Sequence, residues 1–153
     1  MFDEGPFGKP FLKDLPHKHR CAFNMSHSED VALIAMADVD AGEIGVDVEM
    51  LRPMPDAPSL ARQNFSASEC AELAATKPDD QALAFLLGWT RKEACLKAIG
   101  SGLSTAPNIF TAGLSMALRG VEITTPQGRA RLLVHSFRHG PDIVGSLARI
   151  VVP

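Results

Sequence analysis

Ile44-Gly-Val-Asp-Val-Glu49 alternates apolar and acidic residues over one strand length, and further along Trp89-Thr-Arg-Lys-Glu-Ala-Cys-Leu-Lys97 spaces Glu93 and Lys97 one helical turn apart. In a strand, positions i and i+2 share a face, so Val46 and Val48 point into a core while Asp47 and Glu49 point away from it. In a helix, positions i and i+4 share a face, so Glu93 and Lys97 stand together. Hard oxygen donors on two rigid elements with an ammonium beside them suit a hydrated Mg²⁺ bridging phosphate oxygens. From spacing alone such a pattern more often describes solvated surface charges and a surface Glu/Lys pair.

Working outward, Val31–Val39 is an apolar run, and Asp38-Val-Asp-Ala-Gly42 supplies turn chemistry before Glu43–Met50. Residues 31–50 therefore read as an antiparallel hairpin with Asp47 and Glu49 on its return strand. Cys21–Met25 is a further strand, divided from Val31 by the polar Ser26-His-Ser-Glu-Asp30. Arg52-Pro-Met-Pro-Asp-Ala-Pro58 reads as a proline-rich connection. Ser66-Ala-Ser-Glu69 has the form of a capping box opening a short helix to about Ala75. Pro78-Asp-Asp80 then starts a longer helix, with Leu83, Leu86, Leu87, Trp89 or Thr90, and Ala94 on its apolar face and Gly100 and Gly102 at its end. Trp89 reads as a core residue of this helix. Three strands follow, Leu114–Thr124, Ala130–Phe137 and Asp142–Val152, with turns at Pro126-Gln-Gly128 and His139-Gly-Pro141. The fold expected is α+β, an antiparallel sheet packed against a long helix.

The 153 residues fit one domain, expected over 21–153, and a chain of that size buries roughly 70% of its unfolded surface. Residues 1–20, with three prolines and two glycines, read as an irregular extended segment. Cys21, Cys70 and Cys95 lack the spacing of a disulfide framework or a zinc knuckle, which fits a reducing cytoplasm. No charged start with an apolar run marks a leader, and no apolar run approaches the ~18 residues of a membrane span. A net charge of −3 speaks against a general nucleic-acid binder. The local exception is Lys9, Lys13, Lys18 and Arg20 against Asp14, a stretch that could attract an anion or simply be a solvated basic loop. His17-Lys-His19 within it has no partners that would complete a metal site.

Four segments in order resemble the 4′-phosphopantetheinyl transferases of the type that activates peptide synthetases and polyketide synthases. They are Gly8-Lys-Pro10, Asn24-Met-Ser-His-Ser28, Ile44-Gly-Val-Asp-Val-Glu49, and Trp89 to Lys97 with Ile99-Gly-Ser-Gly-Leu103. The resemblance implies transfer of the 4′-phosphopantetheine arm from coenzyme A to a serine of an acyl or peptidyl carrier protein, releasing 3′,5′-ADP. It implies Asp47, Glu49 and Glu93 as Mg²⁺ ligands, and Glu93 as the base for the carrier serine. Lys97 and Lys92 are implied at the pyrophosphate, His27 at a coenzyme A phosphate, and Ser26 and Lys9 at the nucleotide end. Members of this type join two similar halves, and this chain lacks most of the first. The basic residues that would bind the 3′-phosphate from that half are not assigned in this sequence, and Met1 could be an internal start. A shorter class resembling the holo-acyl-carrier-protein synthases assembles single halves into trimers. Two readings follow: an active transferase, or a truncated, non-catalytic relative that binds coenzyme A or a partner. A homo-oligomer, most simply a dimer imitating the two halves, is expected to cover the surface left bare. Neither nucleic acid nor membrane is an expected partner.

Overall fold

The computed structural model describes residues 2–4, 9–12, 21–101 and 105–151. Two short strands, β1 (Phe2–Glu4) and β2 (Pro10–Leu12), pair antiparallel, so the segment expected to be irregular contains a small ladder. Gly8, the basic run from Lys13 to Arg20 and the glycine-rich Gly102-Leu103 lie outside the described residues.

The first long hairpin is displaced from its expected position. Strand β3 (Cys21–Ser28) pairs in register with β4 (Val31–Asp38) around a tight turn in which Glu29 takes φ 49°. A 3-10 turn, Val39–Ala41, and Gly42 at φ 90° then lead the chain away. Strand β5 (Ile44–Met50) does not continue a ladder with β4; it joins the C-terminal strands β6 (Arg119–Thr125), β7 (Gly128–His139) and β8 (Ile143–Ile150) in the order β5-β8-β7-β6. The turn signal after Asp38 was correct, but turn chemistry fixes where a chain bends and not which strand receives it. The Pro126-Gln127 and His139-to-Pro141 turns fall where expected. Leu114 is a buried loop residue instead of the start of β6.

The described residues form three α-helices, of which α3 packs on the sheet while α1 and α2 pack on each other and on α3. Helix α1 (Ala57–Asn64) arises inside what reads as a proline-rich connection. Pro58 sits in its first turn, where the missing N–H costs nothing because no intrahelical acceptor awaits it. Helix α2 (Ala67–Ala75) begins with the expected capping box: the Ser66 hydroxyl accepts from the Glu69 amide, and the Glu69 carboxylate accepts from the Ser66 amide. Helix α3 (Pro78–Ile99) starts at Pro78 and ends where Gly100 turns left-handed at φ 65°.

Helix α3 lies across β5, β8 and β7. One side buries Ala94, Cys95 and Ala98 against Val121, Ile123, Leu132, Val134 and Ala148; nearer its start Phe85 and Leu86 meet Phe65, Leu73 and the α1 alanines. Trp89 packs at the margin of that second cluster, stacked on Phe85. Burial of each large aliphatic here contributes about 1.5–3 kcal/mol.

Candidate functional site

Gly45 determines how closely α3 approaches β5. A Cβ at this position would run into the Ala94 carbonyl oxygen and the Ala98 amide, both helix backbone that cannot move aside. With only hydrogen there, the helix settles onto the strand, and Glu93 and Lys97 come down beside Asp47 and Glu49. Val46 and Val48 are buried as alternation requires, yet Asp47 is buried too, at 6% exposure, because it shares with Gly45 the side of β5 that faces α3, and β3 closes the outer edge of the strand.

Strand β3 covers the outer edge of β5 with side chains instead of a backbone ladder. Asn24 Oδ1 accepts from the Val46 amide at 2.9 Å, and Ser28 Oγ from the Met50 amide at 3.2 Å. Between them the Ser26 hydroxyl donates to Asp47 Oδ1 at 2.8 Å. Ser28 likewise donates to Glu49 Oε2 at 3.3 Å. Period-2 alternation turns His27 to the opposite face of β3, where it is exposed and separate from the carboxylates.

Lys97 closes the centre of the site. Its Nζ lies 2.7 Å from Asp47 Oδ1 and donates to Ser26 Oγ at 3.1 Å. Arg52 Nη1 sits 2.9 Å from Glu49 Oε2. Burial pushes the Asp47 carboxyl above its ordinary range despite the opposing charge and hydrogen bond of Lys97. Burial also raises Glu93, with the Asp47 and Glu49 charges adding to it and Lys97 opposing. Glu93 thus shares one electrostatic environment with the strand carboxylates, although among the described residues no three acidic, histidine or cysteine side chains form a ready-made metal cage.

The donor set nevertheless fits a hard divalent cation. Oδ2 of Asp47 is buried with no hydrogen-bond partner among the described residues, and an orphaned buried carboxylate oxygen is costly unless something positive meets it. Asp47, with Glu49 and Glu93 in the same field, is where such an ion would be held.

Two lysines are placed differently from expectation. Lys92 does not face the site; at 0% exposure its ammonium is 2.8 Å from Glu69 Oε2, donates to the Pro107 and Phe110 carbonyls, and lies 4.5 Å from the centre of the Phe110 ring. It is one residue from Glu93 and hence about 100° around the helix, so it faces the helical layer and a pyrophosphate role is corrected to a structural one. Lys9 is 2.6 Å from Glu43 Oε2 and donates to the Ile44 and Ala98 carbonyls, tying the N-terminal segment to the end of α3. Those acceptors occupy the ammonium that was expected at a nucleotide.

Several contributors escape a sequence reading. Arg91, buried, donates to the carbonyls of Ala112, Ser115 and Ala117 and to Ser136 Oγ, holding the loop before β6 against α3. Ser136, Ser146 and Thr90 continue as a buried hydroxyl chain, with Ser136 to Ser146 at 2.8 Å and Ser146 to Thr90 at 2.7 Å. Nothing local marks an arginine within a helical pattern as buried. For Ser28 and Arg52 the signal was present: a serine spaced like the carboxylates, and a cation three residues after Glu49. Cys95 is inert, its thiol pushed up to about 12 by burial.

The fold and site define an α+β protein with an acidic strand facing a Glu/Lys helix. Residues 43–141 match the profile of the 4′-phosphopantetheinyl transferase superfamily, and the chain belongs to that superfamily. It is 47% identical over 78 residues to the 4′-phosphopantetheinyl transferase AcpT of Salmonella typhimurium, covering 51% of this chain and 40% of that protein. It is 41% identical over 109 residues to the 4′-phosphopantetheinyl transferase HetI of a Nostoc species, covering 71% and 45%. With a 4′-phosphopantetheinyl transferase of Bacillus subtilis it shares 33% over 131 residues, covering 86% and 54%. The chain spans about half the length of the curated relatives it matches.

Proposed function

We propose that this chain carries the transfer site of a Mg²⁺-dependent 4′-phosphopantetheinyl transferase of the surfactin-synthetase-activating type, moving the arm of coenzyme A to a carrier-protein serine. The observation that carries this reading is the buried Asp47, with one oxygen held by Lys97 and the other without a hydrogen-bond partner among the described residues. Superfamily membership and three relatives named as such transferases support it.

In this reading Asp47, Glu49 and Glu93 hold the cation, which when bound supplies neutralisation of charge building on the leaving phosphate. The carrier serine oxygen bonds to the phosphorus bearing the pantetheine arm as the bond to the bridging oxygen breaks, and 3′,5′-ADP leaves with that oxygen. Glu93, on the turn of α3 that faces β5, accepts the serine proton. Lys97, partly in solvent, offers its ammonium to the pyrophosphate. His27, exposed on the far side of β3, meets an outlying phosphate of the coenzyme.

A homodimer and a cytoplasmic location belong to the same proposal. Met25 and Ile34 sit opposite each other and Met36 opposite Phe23 on the outer face of the β3–β4 ribbon, with Met25, Ile34 and Met36 half or more exposed. Such a face favours a protein partner, and a second copy is the simplest. No described helix is long and apolar enough to cross a membrane.

The deciding experiment mixes apo-carrier protein, coenzyme A, Mg²⁺ and the 153-residue chain. Gain of one phosphopantetheine by mass is the expected result. Coenzyme A binding without any gain selects the non-catalytic alternative, and sedimentation at micromolar concentration reads the dimer.

A further inference from the structure

The two acidic residues of β5 are held in the same way, two positions apart. Asp47 Oδ1 accepts from Ser26 at 2.8 Å and from Lys97 at 2.7 Å. Glu49 Oε2 accepts from Ser28 at 3.3 Å and from Arg52 at 2.9 Å. Each carboxylate therefore has one oxygen gripped by a β3 serine and a cation, while the other is outside the grip. For Asp47 that second oxygen, Oδ2, is buried and has no hydrogen-bond partner among the described residues.

The directions of these bonds are set by chemistry. A serine hydroxyl has one proton. Ser26 accepts from Lys97, so its proton goes to Asp47; Ser28 accepts from the Met50 amide, so its proton goes to Glu49. Neither hydroxyl has a second proton to offer a ligand. The serines repeat at i and i+2 on β3 and the carboxylates at i and i+2 on β5, so the two strands match step for step.

We propose that Ser26 and Ser28, each with its cation Lys97 or Arg52, are positioning residues that fix the rotamers of Asp47 and Glu49 and present one oxygen of each toward a divalent cation. This rests on the metal-dependent reading above and reassigns Ser26 from the nucleotide to the carboxylate. It gives roles to Ser28 and Arg52, which the motif comparison left without one. Partners that orient a metal-ligating carboxylate commonly change metal affinity by about 10–100-fold when removed.

The test titrates Mn²⁺ into the whole 153-residue chain by calorimetry and electron spin resonance, without coenzyme A or carrier protein. Ser26→Ala, Ser28→Ala and Arg52→Gln are each expected to weaken Mn²⁺ binding about tenfold. Ser28→Thr, which keeps the hydroxyl, is expected to restore it. Arg52 is exposed, so its variant reads orientation even where a buried serine variant unfolds; melting curves identify such a case. Serine variants that fold and bind Mn²⁺ like the wild type overturn the proposal, as does a wild-type chain that takes up no Mn²⁺ at millimolar concentration. Loss of metal-free coenzyme A binding with unchanged Mn²⁺ affinity returns Ser26 to the nucleotide and also overturns it. Failure of the transferase reading is distinguishable: a chain with the expected Mn²⁺ series but no arm transfer retains the clamp and loses the activity.

Discussion

Lys97 Nζ rests 2.7 Å from Asp47 Oδ1, and the two ends of this pair are unequally buried, the lysine side chain 30% exposed and the aspartate 9%. Removing the lysine strands a carboxylate buried between α3 and β3, whereas removing the aspartate leaves an ammonium able to reach water. Lys97→Met is therefore expected to lower the melting temperature more than Asp47→Ala does. A loss of about 1–3 kcal/mol corresponds to roughly 2–4 °C per kcal/mol in a domain of this size. Millimolar Mg²⁺ should recover part of the Lys97→Met deficit by supplying the missing positive charge, and Asp47→Ala should abolish transfer. Paired melting curves in EDTA and in Mg²⁺ check this; equal losses for the two variants would contradict the burial argument.

Lys92 is expected to behave as a fold residue. Lys92→Met leaves Glu69 buried without its cation and removes donors from the Pro107 and Phe110 carbonyls. Breaking a buried pair from one side typically costs about 3–5 kcal/mol. Urea unfolding should show this loss. The double variant Lys92→Met with Glu69→Gln should be more stable than Lys92→Met alone. A variant of unchanged stability and weakened coenzyme A binding would return Lys92 to the pyrophosphate.

Glu69 gives a pH signature. Burial tends to raise its carboxyl, but the Lys92 hydrogen bond and charge, with the Ser66 and Gly113 amides, outweigh that and hold it below its ordinary value of 4.5. A depressed carboxyl contributes stability that is complete above the unfolded-state value and lost as pH falls through the folded one. The wild type should therefore lose stability as pH drops below about 4.5. Glu69→Gln should be less stable at pH 7 and should show a shallower acid slope. Parallel slopes for the two proteins would remove Glu69 as the source.

Gly45→Ala is expected to be more damaging than Gly88→Ala. At Gly88 the added methyl meets the Leu114 and Phe65 side chains at 2.5–2.9 Å, which can rotate, whereas at Gly45 it meets helix backbone. The helix must lift off β5, separating Glu93 and Lys97 from Asp47 and Glu49. Insoluble protein, or soluble protein without metal uptake, is the outcome expected for Gly45→Ala. A stable variant with wild-type Mn²⁺ affinity would show that the close approach is dispensable.

The sequence by itself determined the parts of this protein governed by local rules. Ser66 and Glu69 announced the start of α2, Pro78 and Gly100 bounded α3, and the paired turns placed the C-terminal meander, because caps and turns are satisfied within a few residues. Helix α1 was missed because Pro58 reads as a breaker until it is known to occupy a first turn. The spacing of Asp47, Glu49, Glu93 and Lys97 was legible as faces of a strand and a helix, and the motif resemblance identified the superfamily. Only the tertiary structure decided which strand β5 would join, because an unpaired edge accepts any strand whose face can be buried and local chemistry does not choose among them. It also decided that adjacent residues on α3 part company: Lys92 turns inward to Glu69 while Glu93 faces β5, a division set by what packs on each side of the helix. The same is true of Ser26 and Ser28, whose hydroxyls acquire a direction only when β3 lies along the outer edge of β5 and their single protons have somewhere to go.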